Sequence, residues 1–321
     1  MRLVMMGTGA FAVPTISALI ESPHEVVVLV TRPPHGRRPP PNPMRELAAS
    51  RAVPVWMPET VGAPEAAQRL RELAADLLVV CDYGEILSPE VLQTTRLGGI
   101  NLHASQLPKY RGAAPINWAI LRGEKETGNT VFRLTPGLDA GPTIAQSRLA
   151  IGPEETAAEL KDRLAQDGAV LVRQAVDDLA SGNIREVKQD RTLVTRAPRL
   201  QKSQGQVDWS RSAAEIKNQV RALQPWPTTY TFWHRPGHEP LRLILEQVLA
   251  LPDAAEAEPG TVVETERRLV VTTGEGLLEL CRVRPAGKRV MQANEFLRGH
   301  PVLVGQQLGP LQNADNPSEN E

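Results

Sequence analysis

The chain has 321 residues, 41% of them hydrophobic and 23% charged, and a formal net charge of −1, which is typical of a globular protein with one large or two ordinary domains. A charge so close to zero excludes a surface that is basic throughout, so any contact with nucleic acid requires local basic patches. Its two cysteines, without a C-x-x-C pair, exclude a disulfide framework and a structural zinc site, and no apolar run approaches the roughly 18 residues that span a bilayer.

The first 31 residues begin a strand–helix–strand pattern. Residues 3–6 are predicted to form a buried strand, the turn GTGAFA follows at residues 7–12, and residues 26–31 form a second strand. A glycine-rich turn in this position raises the question of a dinucleotide site. Ala12 stands where the third glycine of that fingerprint is expected, and no acidic residue ends the second strand. We therefore interpret the turn as a tight connection between strand and helix.

Residues 32–43, the proline–arginine loop, contain six prolines and three arginines. The prolines exclude a helix or a central strand and favour an extended conformation. By composition the segment is typical of a solvated surface loop. By position it leaves the carboxyl end of a parallel strand, at the rim where the loop after residue 103 also emerges. A role in binding is therefore the alternative to a solvated loop.

The alternation of strands and helices continues through the first half of the chain. Apolar patterns predict helices at residues 44–51, 64–74 and 155–179, and strands at residues 53–56, 76–81, 100–102, 130–134 and 143–151. The run DLLVVC at residues 76–81 is almost continuously apolar, as expected for a central parallel strand covered on both faces. These elements predict an α/β fold with a doubly wound, mostly parallel sheet in residues 1–184.

The segment GGINLHASQLPKYRGAAPINW, residues 98–118, joins a short strand to a polar loop. Asn101 and His103 lie two positions apart, so their side chains project from one face of the strand. Asp139 lies in a second glycine-rich turn, LTPGLDAGP. A carboxylate beside an imidazole orients it and favours its protonated form, and an amide can donate to a developing oxyanion. The three residues suit acyl transfer without a protein nucleophile, and a structural role is the alternative for a single histidine.

This pattern resembles the active-site sequence of the folate-dependent formyltransferases. The shared elements are Asn-x-His, the loop Ser-x-x-Pro-x-x-Arg-Gly that follows it, and an Asp in a glycine turn, in the same order and spacing. The similarity covers about residues 2–298 and is greatest to the members that act on methionyl-tRNA. The resemblance implies that Asn101, His103 and Asp139 are catalytic, and that 10-formyltetrahydrofolate donates the formyl group without help from a metal.

The same resemblance implies the residues that bind the substrates. Those expected to contact folate are Ser105, Gln106, Leu107, Pro108, Tyr83 and Gly84. Family members usually carry small or apolar residues at positions 82 and 106 and proline at position 9, whereas this chain has Asp82, Gln106 and Gly9. In the family, a basic insertion corresponding to the proline–arginine loop reaches the acceptor end of tRNA. The resemblance therefore implies that Arg37 and Arg38 contact the acceptor end of tRNA.

The second half of the chain begins with a basic linker, residues 185–206. Between residues 185 and 202 it carries six basic residues against two acidic ones, which is compatible with a solvated connector or with a strip that follows phosphates. Residues 207–311 contain five short runs, at 229–233, 241–249, 260–263, 269–273 and 277–283, that predict a small antiparallel barrel of the OB type.

Basic residues in this half of the chain are candidates for tRNA contacts. They are Lys202 in the linker, and Lys288 and Arg289 in the turn RVRPAGKR of the barrel domain. Residues 312–321 are polar and acidic and are predicted to be a disordered tail.

We therefore predict that the protein transfers a formyl group from 10-formyltetrahydrofolate to methionine on initiator methionyl-tRNA, for translation initiation in the cytoplasm. No membrane contact and no obligatory protein partner is implied. Folate and tRNA follow from the resemblance, whereas composition and spacing predict only an α/β enzyme with an Asn/His/Asp site and basic strips. A formyl-folate hydrolase, an amino-sugar-nucleotide formyltransferase and a non-catalytic RNA-binding protein remain as alternatives.

Overall fold

The computed structural model describes residues 1–34, 36 and 41–311, and the chain divides into two compact units. The first unit comprises Met1–Ala119, Lys125–Gly152 and Glu159–Arg199. The second comprises Ile120–Glu124, Pro153–Ala158 and the chain from Leu200 onward. In the described residues, no helix combines the length and the hydropathy needed to cross a bilayer.

The first part of the chain alternates strands and helices. Its strands are β1 (Arg2–Met6), β2 (Glu25–Val30), β3 (Val55–Trp56), β4 (Leu77–Val80), β5 (Gly99–His103), β6 (Glu126–Thr127), β7 (Thr130–Arg133), β8 (Thr143–Gln146) and β9 (Leu149–Ala150). Its helices are α1 (Val13–Ile20), α2 (Pro43–Ser50), α3 (Pro64–Glu72), α4 (Pro89–Leu92), α5 (Pro115–Leu121) and α6 (Ala157–Ser181).

Seven of these strands form one sheet in the order β3-β2-β1-β4-β5-β7-β8. The five strands from β3 to β5 are parallel, whereas β7 runs antiparallel to β5 and β8 antiparallel to β7. The order along the chain reverses between β1 and β4. In an open parallel sheet, the crevice outside the carboxyl ends of the strands at such a reversal is the usual ligand site.

The apolar sequence of the central strands explains their position. Every residue of β4 is buried, as are Leu3, Val4, Met5 and Met6 of β1, and both strands lack the alternation of a sheet with one wet face. The prediction of a doubly wound, mostly parallel sheet is confirmed. The strand predicted at residues 143–151 is divided in two, because β8 pairs with β7 and β9 pairs with the separate strand β6.

The second unit contains an antiparallel barrel. Its elements are α7 (Ala213–Ala222), β10 (Thr229–Trp233), β11 (Leu241–Leu251), β12 (Val262–Glu264), β13 (Leu269–Thr272), β14 (Leu277–Pro285), β15 (Met291–Gln292), α8 (Ala293–Gly299) and β16 (Leu308–Gly309). Hydrogen bonds order the strands β12-β13-β14-β11-β10-β16, with β15 beside β14. The Leu308 amide donates to the Gly260 carbonyl oxygen (2.8 Å), which brings the two ends of that order together.

The barrel encloses its own hydrophobic core. Trp209, Trp233 and Phe296 are buried within it, together with leucines and valines from β11, β13 and β14. The Ser212 hydroxyl accepts from the Glu215 amide, and the Glu215 side chain accepts from the Ser212 amide, so α7 begins with a capping box. The predicted barrel is thus confirmed, with β15 and β16 as strands that the sequence did not indicate.

Candidate active site

The candidate catalytic residues lie at the carboxyl end of the parallel strands. In the register of the sheet, Asn101 of β5 is opposite Val80 of β4 on one side and Phe132 of β7 on the other. His103 is the last residue of β5 and is opposite Thr130. Because Asn101 and His103 are two positions apart in an extended strand, they share one face of the sheet.

The imidazole of His103 is buried and contacts the chain on both of its nitrogen atoms. Nε2 lies 2.9 Å from the Tyr110 carbonyl oxygen, and since a carbonyl oxygen only accepts, Nε2 carries a proton. Nδ1 faces Oδ2 of Asp139 at 3.7 Å, which is longer than a hydrogen bond. The edge of the ring packs against Phe132. These contacts fix the plane of the imidazole beside the carboxylate.

Asp139 is held in position by its backbone and by its side chain. Its φ angle of 46° lies in the left-handed region, which aspartate adopts more readily than most residues. Oδ2 accepts from the Gly112 amide at 2.8 Å, and the Asp139 carbonyl oxygen accepts from the Gln189 side chain at 2.9 Å. Among the described residues, none donates a hydrogen bond to Oδ1. One carboxylate oxygen is therefore fixed, and the other is available to a substrate or a water molecule.

Asn101 is half-buried, and its side-chain amide has no hydrogen-bond partner among the residues that the structure describes. An amide group at the end of a strand, on the face that carries His103, can donate both of its hydrogens to a ligand. Asn101 thus supplies an uncommitted donor, whereas the donor of His103 is directed at the Tyr110 carbonyl oxygen.

The loop of residues 105–108 is anchored to the sheet by Thr130, a residue for which we predicted no role in the site. The buried Thr130 hydroxyl donates to the Ser105 carbonyl oxygen (2.6 Å) and accepts from the Leu107 amide (3.0 Å). The Gln146 side chain donates to the same hydroxyl (3.0 Å) and to the Leu107 carbonyl oxygen (2.7 Å). The Gln106 side chain donates to the Ser147 carbonyl oxygen at 3.3 Å. The loop is therefore held before any ligand binds.

A hydrogen bond within the loop and a cis peptide bond also define the conformation of residues 105–108. The buried Ser105 hydroxyl donates to the Lys109 carbonyl oxygen at 2.7 Å, and the peptide bond between Leu107 and Pro108 is cis. Ser105, Gln106, Leu107 and Pro108 thus form one compact turn directly after the strand of His103. Their contact with folate stays a prediction.

A second residue that we did not predict, Gln189, joins the loop to the Asp139 turn. Its side-chain oxygen accepts from Nη2 of Arg111 at 2.6 Å, and its side-chain nitrogen donates to the carbonyl oxygens of Asp139 (2.9 Å) and Gly141 (2.7 Å). The Tyr110 amide donates to the Thr195 hydroxyl at 2.8 Å. Gln189 is only 8% exposed, although we predicted its segment to be a linker, and no periodicity of the sequence indicates that burial.

Tyr83 and Gly84 follow β4 at the same edge of the sheet. The Tyr83 ring is buried in a hydrophobic cluster with Leu87 and Val91, and in the described part of the chain its hydroxyl has no hydrogen-bond partner. Burial, with a smaller contribution from Glu85, raises the pKa of the Tyr83 hydroxyl to about 12. Gly84 has a φ angle of 79° and is exposed. Of the two residues, Gly84 is thus the one accessible to a ligand.

Asp82 and Gly9, two of the departures from the family pattern, are in contact. The Asp82 carboxylate occupies the space that a side chain at position 9 would need. Because Gly9 has no side chain, the larger side chain at position 82 fits. Although much of Asp82 is exposed, partial burial raises the pKa of its carboxyl, and the charge of Lys161 opposes this.

The structure describes three of the five residues that we predict to contact tRNA. Lys202 is exposed on a 3₁₀ turn, Lys202–Gly205, and Lys288 and Arg289 are exposed between β14 and β15. Arg289 forms an ion pair with Glu295 of α8. Arg37 and Arg38 lie outside the described residues. Among the residues that are described, no three His, Cys, Asp or Glu side chains come together as ligands for one metal ion.

Comparison with known proteins adds sequence and structural relatives. Residues 1–176 match the family model described as formyl transferase, and residues 199–301 match the formyl transferase C-terminal domain. The methionyl-tRNA formyltransferase of Rhodopirellula baltica is 43% identical over 326 residues, covering 96% of each chain. That of Methylococcus capsulatus is 41% identical over 313 residues, covering 96% of this chain and 100% of the relative.

A solved structure has the same fold. It is an N-formyltransferase from Helicobacter canadensis in complex with folinic acid and dTDP-3-aminofucose, with a TM-score of 0.66 and 17% sequence identity. The match covers 87% of this chain and 98% of that one.

Proposed function

Because the chain belongs to the methionyl-tRNA formyltransferase family, we propose that it transfers the formyl group of 10-formyltetrahydrofolate to the amino group of methionine on initiator tRNA. The observation that carries the proposal is the combination of identity above 40% over almost the whole chain with His103 and Asp139 held side by side. The product, formylmethionyl-tRNA, serves translation initiation in the cytoplasm.

The residues of the site fit a formyl group approached by an amine. In the reaction, the amine nitrogen forms a bond to the formyl carbon, the bond from that carbon to N10 of the folate breaks, and one proton moves from the amine to N10. Negative charge develops on the formyl oxygen before the second bond breaks. The uncommitted Asn101 amide is the donor for that oxygen, and a donor aimed at a developing oxyanion stabilises the transition state by about 3–4 kcal/mol.

Asp139 accepts the proton that the attacking amine loses. Its Oδ2 is bound to the Gly112 amide, so Oδ1 is the oxygen that accepts this proton, directly or through one water molecule. His103 is the second donor for the oxyanion. To donate, its Nε2 must exchange the bond to the Tyr110 carbonyl oxygen for a bond to the substrate.

The acceptor is methionine carried on initiator tRNA, and we propose that the enzyme acts on it without an obligatory protein partner. Lys202, Lys288 and Arg289 are exposed, as residues in contact with phosphates must be. Arg37 and Arg38 are assigned to the acceptor end by the family resemblance. Contacts with phosphates supply affinity, and contacts with base edges at the end of the stem would supply the preference for the initiator.

The test is formyl transfer by the purified chain alone. Methionyl-initiator tRNA and 10-formyltetrahydrofolate are mixed with the protein, the amino acid is released from the tRNA by mild base, and formylmethionine is identified by mass spectrometry. We expect rapid formylation of the initiator and slow formylation of elongator methionyl-tRNA. The Asp139→Asn variant, which keeps the shape of the side chain, is the matched control.

Three outcomes would contradict the proposal. Release of formate at the same rate with and without tRNA would identify a formyl-folate hydrolase. Formylation of a dTDP-linked amino sugar, with none of methionyl-tRNA, would identify a sugar-nucleotide formyltransferase. Binding of tRNA without any turnover of folate would identify a non-catalytic RNA-binding protein.

A further inference from the structure

Three arginines of the first unit converge beside Asp139. The backbones of Arg111 and Arg196 pair as a parallel bridge, with the Arg111 amide donating to the Thr195 carbonyl oxygen (3.0 Å) and the Ala197 amide donating to the Arg111 carbonyl oxygen (2.8 Å). Gly112, the residue after Arg111, donates its amide to the Asp139 carboxylate. Arg191 opens a 3₁₀ turn, residues Arg191–Leu193, two positions after Gln189.

The guanidinium groups of this cluster are largely uncommitted. In the described part of the chain, neither Arg191 nor Arg196 has a carboxylate within ion-pair distance, and both are exposed. Arg111 directs Nε and Nη2 at one oxygen of Gln189, so three of its five N–H donors remain. By contrast, Arg133 forms an ion pair at 2.6 Å with Glu186 of the same 185–202 segment.

The three charges also lie close enough to influence one another. Partial burial lowers the pKa of Arg111, and the charges of Arg196 and, to a smaller extent, Arg191 lower it further, whereas the Asp139 carboxylate opposes them. Bringing like charges together on a partly desolvated surface is unfavourable, and a bound anion reverses the sign of that interaction. The arrangement is typical of a surface that binds an anion.

We infer that Arg111, Arg191 and Arg196 form the binding site for the last phosphodiester of the aminoacylated RNA, one nucleotide from the reacting amine. The inference rests on the proposed function and names a subsite of it. Guanidinium groups match the paired non-bridging oxygens of a phosphodiester. The cluster is also adjacent to Asp139, the carboxylate proposed to accept the proton of the amine. The site holds the end of the RNA so that the amine reaches the formyl carbon.

The experiment combines protein variants with a change in the RNA. We would measure kcat/KM for formylation of initiator methionyl-tRNA, either natural or with a neutral methylphosphonate as its last internucleotide linkage. Arg191→Gln and Arg196→Gln each remove one charge and leave Arg111 and its bonds intact. Arg185→Gln removes one charge from another exposed position of the same segment and is the matched control.

For natural tRNA, we expect each of Arg191→Gln and Arg196→Gln to lower kcat/KM on the order of tenfold, the scale of one lost hydrogen bond to a charged group. The slope of log KM against log salt should fall by about 0.7 for a single-stranded phosphate. The methylphosphonate should lower kcat/KM of the unchanged protein by a similar factor. The methylphosphonate should lower kcat/KM of each variant by a smaller factor than that of the unchanged protein, because one of the three arginines that contact the phosphate is already absent.

Several results would overturn the inference. Equal losses in the unchanged protein and in the variants on methylphosphonate tRNA would show that these arginines act elsewhere. A higher KM for 10-formyltetrahydrofolate, with an unchanged KM for tRNA, would show that the cluster binds the folate carboxylates instead. The same loss in Arg185→Gln would show a non-specific effect of net charge. An unchanged protein that does not formylate methionyl-tRNA at all would contradict the proposed function itself.

Discussion

Thr130→Val tests how the sheet holds the loop of residues 105–108. The substitution keeps the shape of the side chain but removes three hydrogen bonds, to Ser105, Leu107 and Gln146. At about 1 kcal/mol each, these bonds sum to roughly 3 kcal/mol. The Leu107 amide also donates to the Ser105 carbonyl oxygen (3.2 Å), and the Gln146 side chain also donates to the Leu107 carbonyl oxygen (2.7 Å). Each of these two donors therefore keeps one acceptor in the variant. We therefore expect the free energy of unfolding to fall by about 2 kcal/mol.

The same substitution should weaken folate binding, because the loop must then be ordered by the ligand. If the whole loss of about 2 kcal/mol is subtracted from the free energy of folate binding, KM for 10-formyltetrahydrofolate rises by roughly 30-fold. If only part of it is subtracted, the rise in KM is smaller. Urea unfolding of the whole chain measures the stability, and initial rates at saturating methionyl-tRNA measure KM. KM for tRNA should be unchanged.

Thr130→Ser is the matched control, because it keeps the hydroxyl and loses only a methyl group. It should retain most of the affinity for folate even if removal of the methyl group from the core costs about 1 kcal/mol of stability. Stability and folate KM of Thr130→Val that match those of the unchanged protein would refute the anchoring role. A rise in KM that is equal in Thr130→Ser would attribute the effect to packing rather than to hydrogen bonding.

Three other variants test the assigned roles. Asn101→Ala should lower kcat by roughly 10²-fold or more, the scale for one oxyanion donor, with little change in stability, and an unchanged kcat would remove Asn101 from the site. Asp139→Asn should abolish activity while the free energy of unfolding stays within about 1 kcal/mol, whereas an active but unstable variant would mean that Asp139 only braces its turn. Replacing Arg37 and Arg38 together with Ala should raise KM for tRNA and flatten its salt dependence by about two charges, and an unchanged KM would leave the proline–arginine loop as a solvated segment.

The features that the sequence predicted are those determined locally. The continuous apolar run of β4 indicated a central parallel strand, and the alternation along β5 placed Asn101 and His103 on one face. The contact between His103 and Asp139 was a hypothesis from chemistry and family resemblance, and the structure brings their side chains to 3.7 Å. The barrel strands were predicted from their spacing, although the two-residue strands β15 and β16 are too short to produce a pattern.

The residues that the sequence did not indicate are held by contacts between distant parts of the chain. Gln189 is 78 positions from Arg111, and Thr195 is 85 positions from Tyr110. Both belong to a charged segment that has the composition of a linker, so their burial depends on partners that local patterns do not show. The family resemblance implies that Tyr83 contacts folate, and its ring packs into the hydrophobic core, so that contact stays a prediction.

The close approach of Gly112 to Ala197 determines where this protein can be divided. A Cβ atom at position 112 would lie 2.5 Å from the Ala197 carbonyl oxygen, so residues 111–112 and 195–197 adjoin without room for a side chain between them. A truncated chain that ends at residue 184 would lose Gln189, Thr195 and Ala197 from around the Asp139 carboxylate. A chain that ends at residue 199 would keep them. Dissection of the enzyme into separately expressed halves should therefore cut after the segment whose composition resembles a linker, and not before it.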